Sequence, residues 1–244
     1  MTPADFMVIA HRGASAYAPE NTLAAFDLAL QMGCRHLELD VDLMRDGHIV
    51  VMHDETVDRT TNGTGPVGNH TLAELRALDA GAWFGIQFTG ERVPAYAEVL
   101  ERSRGQAHLH TEIKGRAPHL ASGTADLVCQ YDMVDHVTVT SFQYPRLAEI
   151  RAYAPELPTG WLVSAVSGAT MAQAHALGLT QICPRADTVT PALVHRLQAE
   201  GFVVRAWGVA DDALMRQVVD AGADGMTVNF PERLLAYLQG CSRG

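Results

Sequence analysis

The feature that most constrains the fold of this chain is a regular alternation of strand-like and helix-like segments. Short apolar or alternating runs rich in β-branched residues predict strands, and amphipathic stretches with capping residues predict the helices between them. The predicted strands are Phe6–Ala10, His36–Val41, His48–Met52, His108–Ile113, Val137–Thr140, Leu157–Leu162, Leu179–Cys183, Phe202–Trp207 and Asp224–Val228. About eight strands, each followed by a helix, predict an α/β protein with a (β/α)8 TIM barrel. A doubly wound sheet is the alternative, but no G-x-G-x-x-G motif follows the first strand.

One long excursion interrupts this rhythm. The predicted helices are Leu23–Met32, Ala95–Arg102, Pro145–Tyr153, Ala169–Leu177, Pro191–Glu200, Asp211–Ala221 and Glu232–Leu238. Residues 54–92 lie between the second strand region and the helix at Ala95, and they contain the capping-box pattern Thr71 to Glu74. Because a plain connection is much shorter, this excursion predicts a small inserted subdomain or lid within a single domain, residues 1–244.

Composition excludes several classes of protein. The 244 residues are 48% hydrophobic, enough for one sizeable core, and the formal net charge of −10 without a basic cluster argues against nucleic acid as a partner. The four cysteines are widely spaced, which argues against a disulfide framework or a zinc site. The first residues lack the basic region of a signal peptide, and no apolar run approaches the ~20 residues of a membrane span. We therefore expect a cytoplasmic protein without stable membrane association, a monomer or homodimer that acts on a small molecule.

Carboxylates follow a pattern that predicts a metal site. In a barrel of this kind the functional face is formed by the carboxyl ends of the strands. Side chains alternate along a strand, so Glu38 and Asp40 share one face of the second strand, and Glu112 takes a matching place on the next barrel strand. The pair alone is equally compatible with a solvated strand face, but three converging carboxylates repel one another unless a cation lies between them. Oxygen ligands favour Mg²⁺, Ca²⁺ or Mn²⁺ over zinc.

Two histidines and two cations complete the candidate site. His11 and His53 each follow an apolar strand and precede a polar loop, which is the placement expected of a general acid and a general base. Arg12 adjoins the first histidine, and Lys114 is the only lysine in the chain. A divalent cation, two histidines, an arginine and a lysine form a consistent site for a phosphodiester.

The same residues lie in stretches that resemble the glycerophosphodiester phosphodiesterases, including the cytoplasmic bacterial members. The matching stretches are AHRGASAYAPENT at 10–22, HLELDVDLMRDGHIVVMHDETVDRTTNGTG at 36–65, HTEIKG at 110–115, SF at 141–142 and ADGMTVNFPE at 223–232. They occur in the order found in the family and run over nearly the whole chain.

This resemblance implies a TIM-type barrel with a small inserted subdomain. It also implies metal-dependent hydrolysis of deacylated glycerophospholipids to sn-glycerol 3-phosphate and an alcohol, with Mg²⁺ or Ca²⁺ as the usual metal. The implied roles are acid and base for His11 and His53, metal ligands for Glu38, Asp40 and Glu112, phosphate binding for Arg12 and Lys114, and a site-lining position for Asn21.

One motif departs from the family pattern. Many members have W-T-V-N where this chain has Trp207-Gly208-Val209-Ala210. Trp207 can still line the pocket, whereas polar contacts from the following positions are lost, so the departure concerns selectivity for the alcohol rather than the reaction.

Three alternatives stay open at this point. A metal-dependent aldolase or isomerase on the same barrel would use Lys114 as a Schiff-base lysine. A lysophospholipase D-like enzyme would need an apolar entry to the site, and a non-catalytic binding protein would be expected to have lost site residues. The sequence also leaves open which histidine is the base, and whether water or a substrate hydroxyl attacks the phosphorus.

Overall fold

The computed structural model describes residues 6–241, and within them eight parallel strands form a closed barrel. The strands are β1 (Met7–His11), β2 (His36–Leu43), β3 (Ile49–Val51), β4 (His108–Ile113), β5 (Val137–Ser141), β6 (Thr159–Val163), β7 (Gln181–Pro184), β8 (Val203–Ala206) and β9 (Gly225–Val228). The order around the barrel is β1-β9-β8-β7-β6-β5-β4-β2, and the pairing of β2 with β1 closes it. The predicted (β/α)8 barrel is confirmed.

One predicted strand lies outside the parallel set. β3 pairs antiparallel with the end of β2, with Val41 opposite Val51. The turn between them contains Gly47 at φ +84, a left-handed conformation that glycine adopts without strain. The chain therefore folds back at this point and enters the 54–92 excursion from the carboxyl end of the barrel.

Nine helices lie within residues 6–241. They are α1 (Leu23–Gln31), α2 (Leu72–Arg76), α3 (Tyr96–Ser103), α4 (Leu120–Gln130), α5 (Tyr144–Tyr153), α6 (Gly168–Leu177), α7 (Pro191–Ala199), α8 (Asp212–Asp220) and α9 (Pro231–Cys241). The sequence patterns did not delimit α4, because Ser122, Gly123 and Thr124 at its centre are weak helix formers. One side of this helix is buried, which shows that packing on the barrel stabilises it. The buried residues are Leu120, Ala121, Thr124, Ala125 and Val128.

The first helix begins at a single cap. Thr22 is the N-cap of α1, and its hydroxyl accepts a hydrogen bond from the Ala25 amide at 3.3 Å. The preceding residue, Asn21, adopts φ +58 and donates from its side chain to Asp40. In the PENT sequence, Thr22 therefore starts the helix, and its neighbour Asn21 supports Asp40 inside the barrel.

The two faces of β2 differ as the alternation predicts. Leu37, Leu39 and Val41 belong to the main apolar core between barrel and helices. Glu38 and Asp40 face the barrel interior, and they are 4% and 0% exposed. The strand thus holds two carboxylates inside the barrel while its other face packs against the helices.

A second, small apolar cluster joins the 54–92 excursion to β3 and to the residues that flank it. The members of this cluster are Met44, Val50, Met52, Val57, Val67, Leu75, Ala80 and Val93. Within the segment, α2 begins with the predicted capping box, in which the Glu74 amide donates to Thr71 Oγ1 at 3.3 Å and the Thr71 amide donates to Glu74 Oε2 at 2.8 Å. Arg59 also ties the segment to the barrel loops through Glu20.

Among the helices of residues 6–241, none has the length and apolar character that crossing a lipid bilayer requires.

Three histidines cluster at the amino ends of the strands, away from the functional face. His36 and His108 are the first residues of β2 and β4, and His110 is fully buried beside them. His36 Nδ1 lies 3.2 Å from His110 Nε2, and His108 Nε2 lies 2.8 Å from Thr138 Oγ1. Burial lowers the pKa of His108 to about 4, with a further contribution from His36, and burial also lowers the pKa of His110 well below its usual value.

This cluster predicts loss of stability in mild acid. The folded protein keeps these rings neutral, whereas the unfolded chain binds protons below the ordinary histidine pKa of about 6.5. The contribution of these histidines to the free energy of unfolding should therefore be constant above that pH and fall as pH drops toward 4, by up to about 1.4 kcal/mol per pH unit for each such histidine. Urea unfolding at pH 7, 6 and 5 measures this slope. On going from pH 7 to pH 5, the free energy of unfolding should change less unfavourably in His108→Gln than in the wild type, and an identical change in both proteins would contradict the assignment.

Candidate active site

The candidate site lies in a cavity of about 330 Å³ at the carboxyl ends of the barrel strands. Its lining residues are His11, Arg12, Glu38, His53, Glu112, Lys114, Phe142, Leu162, Arg205, Trp207, Gly208 and Thr227. Most of the residues predicted from the sequence therefore line this cavity. Asn21 and Asp40 are buried beside it, at 5% and 0% exposure.

A tight turn after β1 positions His11 and Arg12. Gly13 follows at φ +81, and a Cβ on it would lie 2.5 Å from the carbonyl carbon of Ala25. Only glycine fits so close a backbone approach. Arg12 itself adopts φ +55, which turns its amide toward Glu38, where it donates to Oε2 at 3.0 Å. The close packing of this turn on α1 thus determines where the first histidine and arginine point.

Each of the two histidines is oriented by a partner on Nδ1. His11 Nδ1 donates to Asn229 Oδ1 at 2.6 Å, which leaves Nε2 free at 3.9 Å from Glu38 Oε2. His53 Nδ1 pairs with Asp54 Oδ1, also at 2.6 Å. A fixed partner on one ring nitrogen leaves the other nitrogen available for proton transfer.

The local environment favours the neutral form of both rings. Burial, followed by the charge of Arg12, lowers the pKa of His11 to about 4. Burial also lowers the pKa of His53, against the opposing charge of Asp40. A neutral imidazole can accept a proton at pH 7, so the chemistry that this arrangement supports is general acid–base catalysis.

An ionic network behind His53 supports it. Arg59 Nε donates to Asp54 Oδ2 at 2.7 Å, while Arg59 Nη2 donates to Glu20 Oε1 at 2.7 Å. The hydrogen bond from Arg59 holds the pKa of Asp54 far below its usual value, with a further contribution from His53. Asp54 is therefore ionised, and it orients the ring of His53 from a position that the 54–92 excursion provides.

Three buried carboxylates form the acidic cluster. Glu38, Asp40 and Glu112 each present an oxygen such that these oxygens all lie within 4.8 Å of one another. Burial, followed by the charge of Asp40, raises the pKa of Glu38 to about 8 and that of Glu112 to about 8. Three such groups could hold a metal ion, because a cation between them would remove both the mutual repulsion and the unfavourable burial.

An unpaired oxygen supports this fit. Asp40 Oδ1 is buried and has no hydrogen-bond partner within the described part of the chain, whereas Asp40 Oδ2 accepts from Asn21 Nδ2 at 3.0 Å. Buried carboxylate oxygens in proteins are normally paired. The free oxygen points to a ligand position, and the neighbouring amide fixes the orientation of the carboxylate.

Both predicted phosphate-binding cations contact carboxylates. Arg12 Nη1 donates to Glu20 Oε1 at 2.9 Å, and Arg12 Nε lies 3.2 Å from Asp40 Oδ2 without hydrogen-bond geometry. Lys114 Nζ donates to Glu112 Oε1 at 3.1 Å. These contacts hold positive charge at the edge of the cavity, beside the acidic cluster.

Aromatic side chains form one wall of the cavity. Phe142 and Trp207 pack edge to face, with ring centroids 4.8 Å apart, and Lys114 Nζ lies 5.6 Å from the Phe142 centroid. Trp207 Nε1 donates to the Val163 carbonyl at 3.1 Å. Its ring is thereby fixed in the wall, opposite the charged side of the site.

The sequence reasoning missed several residues that support the site. Asn229 and Asp54 lie within the stretches that carry the resemblance, yet nothing in their own sequence patterns distinguishes them. Arg59 and Glu20 became visible only through the ionic network. Arg205 had no signal at all, since it lies within an apolar strand. Asn229 and the Arg59–Glu20 pair make their contacts across 218 and 39 positions, whereas Asp54 contacts residues close to it in the chain.

The fold and the site have counterparts among known proteins. The model of the glycerophosphoryl diester phosphodiesterase family matches residues 11–233. A glycerophosphodiester phosphodiesterase of Caldanaerobacter subterraneus subsp. tengcongensis is 37% identical over 233 residues, covering 94% of this chain and 96% of that protein.

Solved structures give the same result. The crystal structure of glycerophosphodiester phosphodiesterase from Agrobacterium tumefaciens is 33% identical with a TM-score of 0.84, covering 93% of this chain and 98% of that one. A phosphodiesterase from Oleispira antarctica, solved in complex with the product sn-glycerol-3-phosphate, is 31% identical with a TM-score of 0.87, covering 95% of this chain and 96% of that one.

Proposed function

The chain belongs to the glycerophosphoryl diester phosphodiesterase family of phosphoric diester hydrolases, and on that premise we propose how its own site performs the reaction. The substrates are glycerophosphodiesters, that is, deacylated phospholipids such as glycerophosphocholine or glycerophosphoethanolamine. The products are sn-glycerol 3-phosphate and an alcohol. The observation that carries the proposal is the convergence of His11, His53 and the acidic cluster on one cavity.

The two histidines act as the acid–base pair. His11 and His53 each have Nδ1 engaged by a fixed partner, so Nε2 of each ring is the atom that exchanges protons with the substrate. One ring takes the proton of the attacking oxygen as the new P–O bond forms. The other ring, protonated on Nε2 beforehand, gives that proton to the alcohol oxygen as the second P–O bond breaks, so the two rings end the step with their protonation states exchanged.

Glu38, Asp40 and Glu112 hold a divalent metal, with Mg²⁺ or Ca²⁺ as the first candidates and Mn²⁺ also suitable. Support comes from the unpaired Asp40 Oδ1 and from the all-oxygen donor set. The chemistry that such a cation supplies is neutralisation of charge on the phosphoryl oxygens.

Cations and aromatic rings of the chain position the diester. Arg12 and Lys114, already held at the cavity edge by carboxylates, bind the phosphoryl oxygens. Trp207 provides an apolar surface for the organic part of the substrate. Asn21 contributes indirectly, because its side chain orients Asp40.

We also propose that residues 54–92 act as an inserted subdomain of this single barrel domain. Support comes from the second apolar cluster and from Asp54 and Arg59, which reach from this segment toward the catalytic residues. The segment would thereby couple its own folding to the orientation of His53.

An assay of product release tests the proposed function. Purified protein incubated with glycerophosphocholine or glycerophosphoethanolamine should release sn-glycerol 3-phosphate, and a chelator should stop the release until Mg²⁺ or Ca²⁺ is added back. Choline release from a lysophospholipid without turnover of the deacylated substrates would favour a lysophospholipase D-like activity. Borohydride trapping of a carbonyl substrate on Lys114 would favour an aldolase.

A further inference from the structure

Arg205 is a buried cation on the floor of the catalytic cavity. It lies in β8, and its neighbours Val204 and Ala206 pack in the main core on the helix side. Because side chains alternate along a strand, Arg205 faces the barrel interior, where it lines the cavity at only 1% exposure. Its register partner on the neighbouring strand β9 is Gly225.

Arg205 differs from the other two cations of the cavity in its partners. Arg12 and Lys114 each form an ion pair with a carboxylate. Within residues 6–241, Arg205 has no carboxylate oxygen within 4.0 Å, and its Nε and Nη2 atoms have no hydrogen-bond partner. Its guanidinium contacts the thiol of Cys183, a neutral group. A buried guanidinium without an ion pair is unfavourable unless another charge offsets it.

The charges that face Arg205 show which group offsets it. Three imidazoles at the amino ends of β2 and β4 cannot offset it, because burial, together with the charge of Arg205, lowers the pKa of His36, His108 and His110. Toward the cavity it faces the acidic cluster, and its positive charge acts to lower the pKa of Glu38. Among the described residues, the carboxylates of Glu38 and Glu112 are the only negative charges that line the same cavity as Arg205, so the acidic cluster is the group that offsets it.

We propose that Arg205 is a positioning residue. Its fixed positive charge balances the acidic cluster and limits how tightly Glu38, Asp40 and Glu112 bind a divalent cation. The guanidinium balances part of the carboxylate charge when no cation is bound, and it repels a cation that enters. In a protein interior, repulsion between like charges that share one cavity changes cation affinity by about tenfold or more. This inference rests on the metal site assigned under the proposed function, and it adds a residue that contacts neither the metal nor the substrate.

Calorimetric titration of the purified full-length protein with Mg²⁺ or with Ca²⁺, without substrate, tests this inference. At pH 9, where proton competition for the carboxylates is small, Arg205→Met should bind the cation about tenfold more tightly than the wild type. Arg205→Lys, which keeps the charge, should restore an affinity within about threefold of the wild type. A merely structural role would not produce tighter binding in one variant and rescue in the other.

A matched control shows whether the position of the removed charge matters. Arg185→Met removes the same charge from a half-exposed arginine paired with Asp187 after β7, and it should leave the affinity unchanged. If Arg205→Met does not fold, as judged by circular dichroism, Arg205→Gln supplies the same comparison with a polar side chain.

The possible outcomes distinguish this inference from the proposed function. Equal or weaker cation binding by Arg205→Met, together with binding by the wild type, overturns the role of Arg205 and leaves the metal site intact. Absence of cation binding by the wild type overturns both.

Discussion

Replacement of His11 with alanine should lower the rate of glycerophosphodiester hydrolysis by about 10²- to 10⁴-fold, the usual contribution of one general acid or base. The reason is geometric, because His11 Nε2 is the free nitrogen of a ring whose Nδ1 is bound to Asn229 at 2.6 Å. His53→Ala should cause a loss of the same order, since its ring is held in the same way by Asp54. Steady-state release of sn-glycerol 3-phosphate at saturating metal measures both effects.

Controls show whether the loss is chemical. His195→Ala changes an exposed histidine on α7 and should retain wild-type activity. Thermal melting of His11→Ala should stay close to that of the wild type, because the ring lies at the cavity surface rather than in the apolar core. Asn229→Ala should reduce kcat by less than His11→Ala, since it removes only the group that orients the ring. Wild-type turnover by both histidine variants would refute the assignment of the acid–base pair.

Neutralising Asp40 should abolish tight metal binding. Asp40→Asn keeps the shape of the side chain but removes the charge that raises the pKa of both Glu38 and Glu112. We expect divalent cation affinity to fall by more than the ~10- to 100-fold typical of a residue that only orients a ligand. Activity at fixed metal concentration should fall with it, and recover in part at much higher concentrations.

Calorimetry and activity measured over a range of metal concentrations test this prediction together. Asp187→Asn is the matched control, because it removes the same charge from an exposed residue at the carboxyl end of β7. Its cation affinity should equal that of the wild type. Unchanged affinity in Asp40→Asn would show that the acidic cluster is not the metal site, even if the hydrolytic activity itself were confirmed.

Local sequence patterns predicted much of the barrel. Alternation along His36–Val41 placed Glu38 and Asp40 on one face, and the structure confirms that this face is the barrel interior. Strand ends differ from the prediction by one or two residues, as for Phe6–Ala10 against the observed Met7–His11. The helix α4 escaped prediction because its residues have weak helix propensity and its stability comes from packing on the barrel.

The environment of each site residue was beyond the sequence patterns. The resemblance implies a site-lining position for Asn21, and the structure adds that its side chain donates a hydrogen bond to Asp40. No sequence pattern indicates that Arg205 is buried, because an arginine in a strand is ordinarily exposed to solvent. Burial and partners depend on what the other strands bring to the same place.

The sequence by itself determined the order of the barrel strands, most of the helices between them and the polar face of β2, and it predicted which residues carry the chemistry. These properties depend on neighbours one to four positions apart, so they can be seen in a linear pattern. Only the tertiary structure decided that Asn229, 218 positions away, binds His11, and that β1 pairs with β2 to bring His11 beside Glu38. The physical reason is barrel closure, which joins the first strand to the last as well as to the second. Each polar group thereby finds partners at sequence separations that no local pattern encodes.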